Sequence, residues 1–314
     1  MFADRQHMDA WSGRIDPEPD SPRWHQRIRP WIADAAPGLA LLGFACDEGV
    51  RRNHGRTGAA AGPLAMRKAL ANLAWHCSGP AFDAGDVVCD DADLEAAQAR
   101  LAHGVCRLLD DGHLPVVLGG GHEMAFGSWS GLARYLEPHH TAPRIGIVNF
   151  DAHFDLRDFT EVRSSGTPFL QIADQCTARG WPFSYACIGV SRASNTRALF
   201  NRAAELGVLV REDHEIREST LQQIGDELEA FAQGCDALYL SIDIDVLPAS
   251  EAPGVSAPAA RGVPMQLLEP LVKRLRDSGR LRLIDLAELN PDFDIDSHTA
   301  KAAARLIHTL SLGG

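Results

Sequence analysis

Two kinds of apolar spacing alternate along the chain. Near-continuous apolar runs at 39–45, 114–118, 144–150, 185–190, 237–242 and 281–286, with shorter ones at 86–88 and 208–210, read as buried strands. Between them, Leu94, Ala97, Leu101, Val105 and Leu108 recur at helical spacing, as do Leu221, Ile224, Leu228 and Phe231. A last helix over 297–310 carries Ala300, Ala303, Ala304 and Ile307 on one face. Strands that are apolar on both faces need cover on both faces, so the alternation predicts a parallel sheet between helical layers. In such sheets ligands bind beyond the carboxyl ends of the strands. Residues 1–38, rich in Pro, Arg, Trp and Asp, read as a surface arm, and 39–314 as a single catalytic domain. Trp11, Trp24 and Trp31 are expected to anchor the arm or an oligomer contact.

Composition narrows the partners. The 314-residue chain is 45% hydrophobic, ample for a large core, and carries a formal net charge of −12. That sign argues against nucleic acid and anionic membrane. No apolar run reaches the ~20 residues of a membrane span, and 1–20 lacks the apolar core of a secretory signal. Seven dispersed cysteines without a Cys-x-x-Cys pair suit a reducing cytoplasm.

The chemistry sits where the strands end. Gly119-Gly120-Gly121-His122-Glu123, Asn149-Phe150-Asp151-Ala152-His153-Phe154-Asp155 and Ser241-Ile242-Asp243-Ile244-Asp245 each follow an apolar run. In an extended segment alternate residues face one way, so Asp151, His153 and Asp155 are expected on one side, as are Asp243 and Asp245. Taken singly, each motif reads as a turn or a helix cap. Four carboxylates and two imidazoles on strand ends of one sheet edge together point to a pair of divalent ions and hydrolysis by activated water. Oxygen-rich ligation without cysteine favours Mn²⁺, with Fe²⁺, Co²⁺ or Zn²⁺ compatible. There is no phosphate-binding Gly-x-x-x-x-Gly-Lys signature and no nucleophile elbow.

These motifs, with Glu288-Leu289-Asn290-Pro291, resemble the signatures of the ureohydrolase superfamily, which holds arginases, agmatinases and formimidoylglutamases. The resemblance runs from about residue 39 to the C-terminus. It implies a three-layer α/β/α sandwich with an eight-stranded, mostly parallel sheet and two Mn²⁺ ions per chain. His122 and Asp155 would hold one ion, His153 and Asp245 the other, and Asp151 and Asp243 would bridge them. Catalysis would fall to Glu288 with Asp151 and Asp243. A homo-oligomer acting on a small amidine is the expected assembly.

Within the superfamily, Ser164-Ser165-Gly166-Thr167-Pro168-Phe169 departs from arginases and agmatinases, which place a His-Gly pair here with the histidine at the position of Ser165. This segment, the Asp47–Asn53 stretch with Gly55-Arg56, and Asn195-Thr196 resemble formimidoylglutamases. The implied reaction converts N-formimidoyl-L-glutamate and water to L-glutamate and formamide, in histidine breakdown. A guanidino hydrolase releasing urea is the alternative. A substrate with two carboxylates calls for cationic or amide donors, and Arg52, Asn53, Arg157, Ser165 and Arg192 are the expected contacts. Arg51, Arg56 and Arg163 lie in the same candidate loops, with His54 between Asn53 and Gly55.

Overall fold

A computed structural model describes residues 6–312 of the chain. Residues 1–5, the start of the expected arm, lie outside the described part. The strands are β1 (Arg29–Pro30), β2 (Leu39–Ala45), β3 (Ala81–Val88), β4 (Leu114–Gly119), β5 (Ile145–Phe150), β6 (Ser184–Val190), β7 (Leu209–Glu212), β8 (Ala237–Asp243) and β9 (Leu281–Ala287). The helices are α1 (Trp24–Arg27), α2 (Glu48–Arg52), α3 (Gly62–Ala71), α4 (Leu94–Asp110), α5 (Met124–Leu136), α6 (Pro168–Arg179), α7 (Arg197–Glu205), α8 (Leu221–Gln233), α9 (Met265–Asp277) and α10 (His298–Ser311).

Among the described residues the strands form one sheet in the order β1-β3-β2-β4-β9-β8-β5-β6-β7, every pair parallel. Successive side chains point to opposite faces, and the strands sort accordingly. Leu41, Val116, Val148, Ala186 and Leu240 pack under α3, α8, α9 and α10. Their neighbours Leu42, Val117, Ile147, Cys187 and Tyr239 pack under α4, α5, α6 and α7. This is the expected three-layer arrangement. No helix among the described residues is long and apolar enough to cross a membrane.

Two features correct the expected sheet. It has nine strands, not eight: Arg29 and Pro30 of the arm add a two-residue edge strand beside Phe82 and Asp83 of β3. So short a segment leaves no apolar run, and proline is tolerated there because an edge strand need not donate every N–H. Next, β3 begins at Ala81 rather than at 86, because Asp83 and Asp86 interrupt its apolar pattern. Asp83 is buried against Arg67, which is itself fully buried, with Nε to Asp83 Oδ2 at 2.7 Å and Nη1 to Asp86 Oδ1 at 2.7 Å. Trp11 Nε1 donates to Asp83 Oδ2 at 2.7 Å, which ties the arm to the same carboxylate. Removing one partner of such a buried pair typically costs ~3–5 kcal/mol.

Candidate metal centre and active site

β4, β9, β8 and β5 are consecutive in the middle of the sheet, and their carboxyl ends bring the singled-out segments together. After β4 the chain must squeeze between strands: a Cβ on Gly120 would lie 1.8 Å from the Cys46 carbonyl oxygen. Only glycine permits this approach, and it delivers His122 to the sheet edge. After β5, Asp151 to Asp155 leave the strand as a loop rather than continuing extended, and Asp155 has a left-handed backbone with φ 50°. The loop is held by Asn195, whose Oδ1 accepts from the Phe154 N–H at 3.1 Å and whose Nδ2 donates to the Ala152 carbonyl at 2.9 Å. Asp245 likewise sits in a tight turn after β8, its N–H donating to Asp243 Oδ1 at 2.9 Å. Convergence therefore comes from turns, not from the plain alternation of a strand.

The six residues form two overlapping groups, His122, Asp151, Asp155 and Asp243 in one and Asp151, His153 and Asp245 in the other, each with its ligand atoms within 4.8 Å of one another. His122 Nδ1 lies 2.9 Å from Asp155, 3.2 Å from Asp151 and 3.2 Å from Asp243. His153 Nδ1 lies 3.1 Å from Asp245 and 3.4 Å from Asp151. Asp151 belongs to both groups.

The electrostatics show a cage short of positive charge. Burial disfavours imidazolium at His122 and His153, yet the facing carboxylates outweigh it and push both pKa values well above the usual histidine range. Burial also pushes Asp243 well up, with Asp245 and Asp151 as repelling neighbours, and raises Asp155 beside Asp151. Crowded carboxylates facing the imidazole nitrogens of His122 and His153 are the donor set a divalent cation neutralises. The residues fit a pair of such ions.

Glu288 follows β9 with φ 68°, a strained backbone for a non-glycine residue. Its buried carboxyl is pushed up to about 8, by desolvation first and then by the nearby charge of Glu123. Oε2 is buried without a hydrogen-bond partner.

A cavity of about 290 Å³ opens over this edge. Glu288, His122, His153, Asp155, Asp243 and Asp245 line it, together with the expected Asn53, Arg157 and Ser165. Arg52 and Arg192 do not. Arg52 is drawn off by Glu48 and Glu95, and Arg192 by Glu212. Arg56 reaches the cavity wall, but its guanidinium is engaged by the Ser256 carbonyl at 2.9 Å and the Phe293 ring at 4.0 Å. Exposed Arg157 has no carboxylate partner among the described residues. Ser194, Leu199 of α7, Ser256 and Ala257 also line the wall and were not anticipated; none of the four side chains is titratable in the way the cage groups are.

Comparison with known proteins identifies the family and the fold. The profile of the arginase family matches residues 37–313. The formimidoylglutamase of Aeromonas hydrophila subsp. hydrophila is 58% identical, over 96% of this chain and 97% of that protein. The Chromobacterium violaceum formimidoylglutamase is 52% identical, over 97% of each. Among solved structures, a formimidoylglutamase from Bacillus subtilis superposes with a TM-score of 0.85 at 23% identity, covering 96% of this chain and 95% of that one. A Trypanosoma cruzi formiminoglutamase with Mn²⁺ superposes with a TM-score of 0.79 at 25% identity, covering 88% and 93%.

Proposed function

Because the chain belongs to the arginase family, it is a hydrolase, and we propose that it converts N-formimidoyl-L-glutamate and water to L-glutamate and formamide with two Mn²⁺ ions. In this reading His122 and Asp155 would hold one ion, His153 and Asp245 the other, and Asp151 and Asp243 would serve both. Bound there, the ions supply Lewis acidity and a water nucleophile at neutral pH.

The chain's own residues do the rest. Glu288 Oε2, buried and unpartnered, accepts from an N–H of the cationic amidine and turns the formimino carbon toward the six-residue cage. Arg157 takes a substrate carboxylate through its guanidinium fork, and Asn53 and Ser165 offer neutral polar contacts along the same wall. The water oxygen bonds to the formimino carbon, the bond from that carbon to the glutamate nitrogen breaks, and both water protons end on the departing amine, which leaves as an ammonium beside neutral formamide. A cavity of about 290 Å³ suits so small a substrate, since pockets for drug-sized ligands span ~300–1,000 Å³. All seven cysteines are free thiols, which suits action in a reducing cytosol.

The observation that carries this reading is the pairing of opposite charge demands across one cavity: an unpartnered acceptor at buried Glu288 and a guanidinium at Arg157 that has no carboxylate partner among the described residues. Agmatine and arginine have a cationic end for Glu288, but agmatine has no carboxylate for Arg157. The test is product analysis with formimidoylglutamate, agmatine, arginine and guanidinobutyrate in added Mn²⁺. Formamide from formimidoylglutamate is expected; urea from a guanidino substrate, with no formamide, would overturn the proposal.

A further inference from the structure

Behind His122 runs a buried hydrogen-bonded line that the reaction does not touch. His122 Nε2 lies 2.9 Å from Ser241 Oγ. Ser241 O–H donates to Asp285 Oδ1 at 2.7 Å, and Tyr239 O–H donates to Asp285 Oδ2. All four residues are buried, and Ser241 and Asp285 are register partners on β8 and β9. Asp285 is thus a carboxylate in the middle of a sheet, with the Ser241 and Tyr239 hydroxyls donating to it.

The donor count fixes which nitrogen of His122 carries hydrogen. A serine hydroxyl has one proton, and a carboxylate only accepts. The Ser241 proton is committed to Asp285, so Ser241 Oγ presents a lone pair to His122, which must bring its hydrogen on Nε2. In the neutral form that binds a cation, the ring then has a bare lone pair on Nδ1, the atom that points at Asp155, Asp151 and Asp243. A lone pair facing carboxylate oxygens is repulsive until a cation lies between them. His153 is placed differently: its side chain is partly exposed and it lines the cavity.

We propose that Asp285, acting through Ser241, is a positioning residue that locks the His122 tautomer and so sets the divalent-ion affinity of the His122 position, leaving the His153 position largely independent. The inference rests on the two-ion reading above. Loss of such an outer partner typically weakens metal binding ~10–100-fold. Asp285→Asn makes the sharper variant. Its amide can turn an N–H toward Ser241, which frees the serine proton for Nε2 and moves the imidazole hydrogen to Nδ1, where the cation belongs.

The experiment is Mn²⁺ titration of the full chain, following the electron paramagnetic resonance signal of free Mn²⁺, with far-UV circular dichroism to check folding. Wild type should bind two ions per chain. Asp285→Asn and Ser241→Ala should keep one ion at wild-type affinity and bind the other ~10–100-fold more weakly. Tyr239→Phe, which spares the Ser241 link, should lose much less. If Asp285→Asn fails to fold, Ser241→Ala, which removes one hydroxyl, decides alone. Unchanged affinities in the folded variants, or equal weakening of both ions, would overturn the inference. Fewer than two ions in wild type would instead defeat the two-ion reading.

Discussion

The backbone N–H of His122 donates to Glu288 Oε1 at 2.8 Å, while the backbone N–H of Glu288 donates to the Gly120 carbonyl at 2.8 Å. The loops after β4 and β9 are therefore clasped in both directions, and the left-handed backbone of Glu288 is held by this double contact. One carboxyl oxygen is spent on the clasp and the other is left for substrate.

That division predicts the behaviour of Glu288→Gln. The amide oxygen can keep the His122 contact, so the fold and Mn²⁺ content should stay near wild type. The amide nitrogen then faces an amidine N–H, donor against donor. A hydrogen bond to a charged group is worth ~1.5–3 kcal/mol, so kcat/KM should fall ~10–100-fold. Steady-state kinetics with metal analysis checks both parts; loss of metal instead would mean that the clasp, not substrate, was broken.

Arg157 and Arg192 separate a substrate contact from a surface ion pair. Arg157→Gln should raise KM for the dicarboxylate ~10-fold or more, with a smaller change in kcat, by the same charged hydrogen-bond scale. Arg192→Gln removes the pair with Glu212, in which the arginine side chain is 70% exposed, and the contact with the Phe200 ring, and should leave both constants alone. A KM effect of equal size in the two variants would refute the placement.

Acid stability should depend on Glu48, which sits under the cavity-lining turn at Asn53. Its carboxyl is held down at about 2, by the Arg51 hydrogen bond first and then by Arg52, against the opposing effect of burial. A depressed acid stabilises the fold at pH values above its unfolded pKa of ~4.3 and loses that contribution as pH falls toward 2. Because Arg51 is largely exposed, screening limits the effect to about 1 kcal/mol. Glu48→Gln should therefore lower Tm at pH 7 and narrow the wild-type advantage between pH 4.5 and about 2. A constant Tm difference across that range would show that Glu48 does not carry the dependence.

Ser165→His tests the departure from the His-Gly pattern of arginases and agmatinases. Ser165 is buried in the cavity wall. An imidazole added there brings bulk and a group titrating near pH 6.5. Formimidoylglutamate turnover should not improve. In a guanidino hydrolase lacking its proton carrier, the same change should raise agmatine turnover by up to the ~10²–10⁴ that acid–base help provides. Parallel rates on the two substrates decide between the readings.

Much of this was legible from residue pattern. The central strands were readable because both their faces are buried, leaving runs such as 237–242 almost free of polar residues. The cage was readable because its groups are titratable and follow such runs directly. Arg52 and Arg192 misled because loop position does not reveal whether a nearby glutamate has already engaged an arginine. Asp285 was overlooked despite a usable signal: a charged side chain within the apolar run 281–286 is rarely tolerated without partners. The edge strand β1 gave no such signal, since two residues make no period.

The outer edge of β3 is closed one carbonyl at a time. Trp31 N–H donates to the Asp83 carbonyl at 2.8 Å, Arg67 Nη2 to that of Gly85 at 3.1 Å, and Arg100 Nη2 to that of Val88 at 2.8 Å. An open edge of this kind is a template on which another chain can add a strand. The segment that carries β1 thus does for the exposed flank of the sheet what the next strand does inside it, occupying hydrogen-bonding positions on which another chain could add a strand.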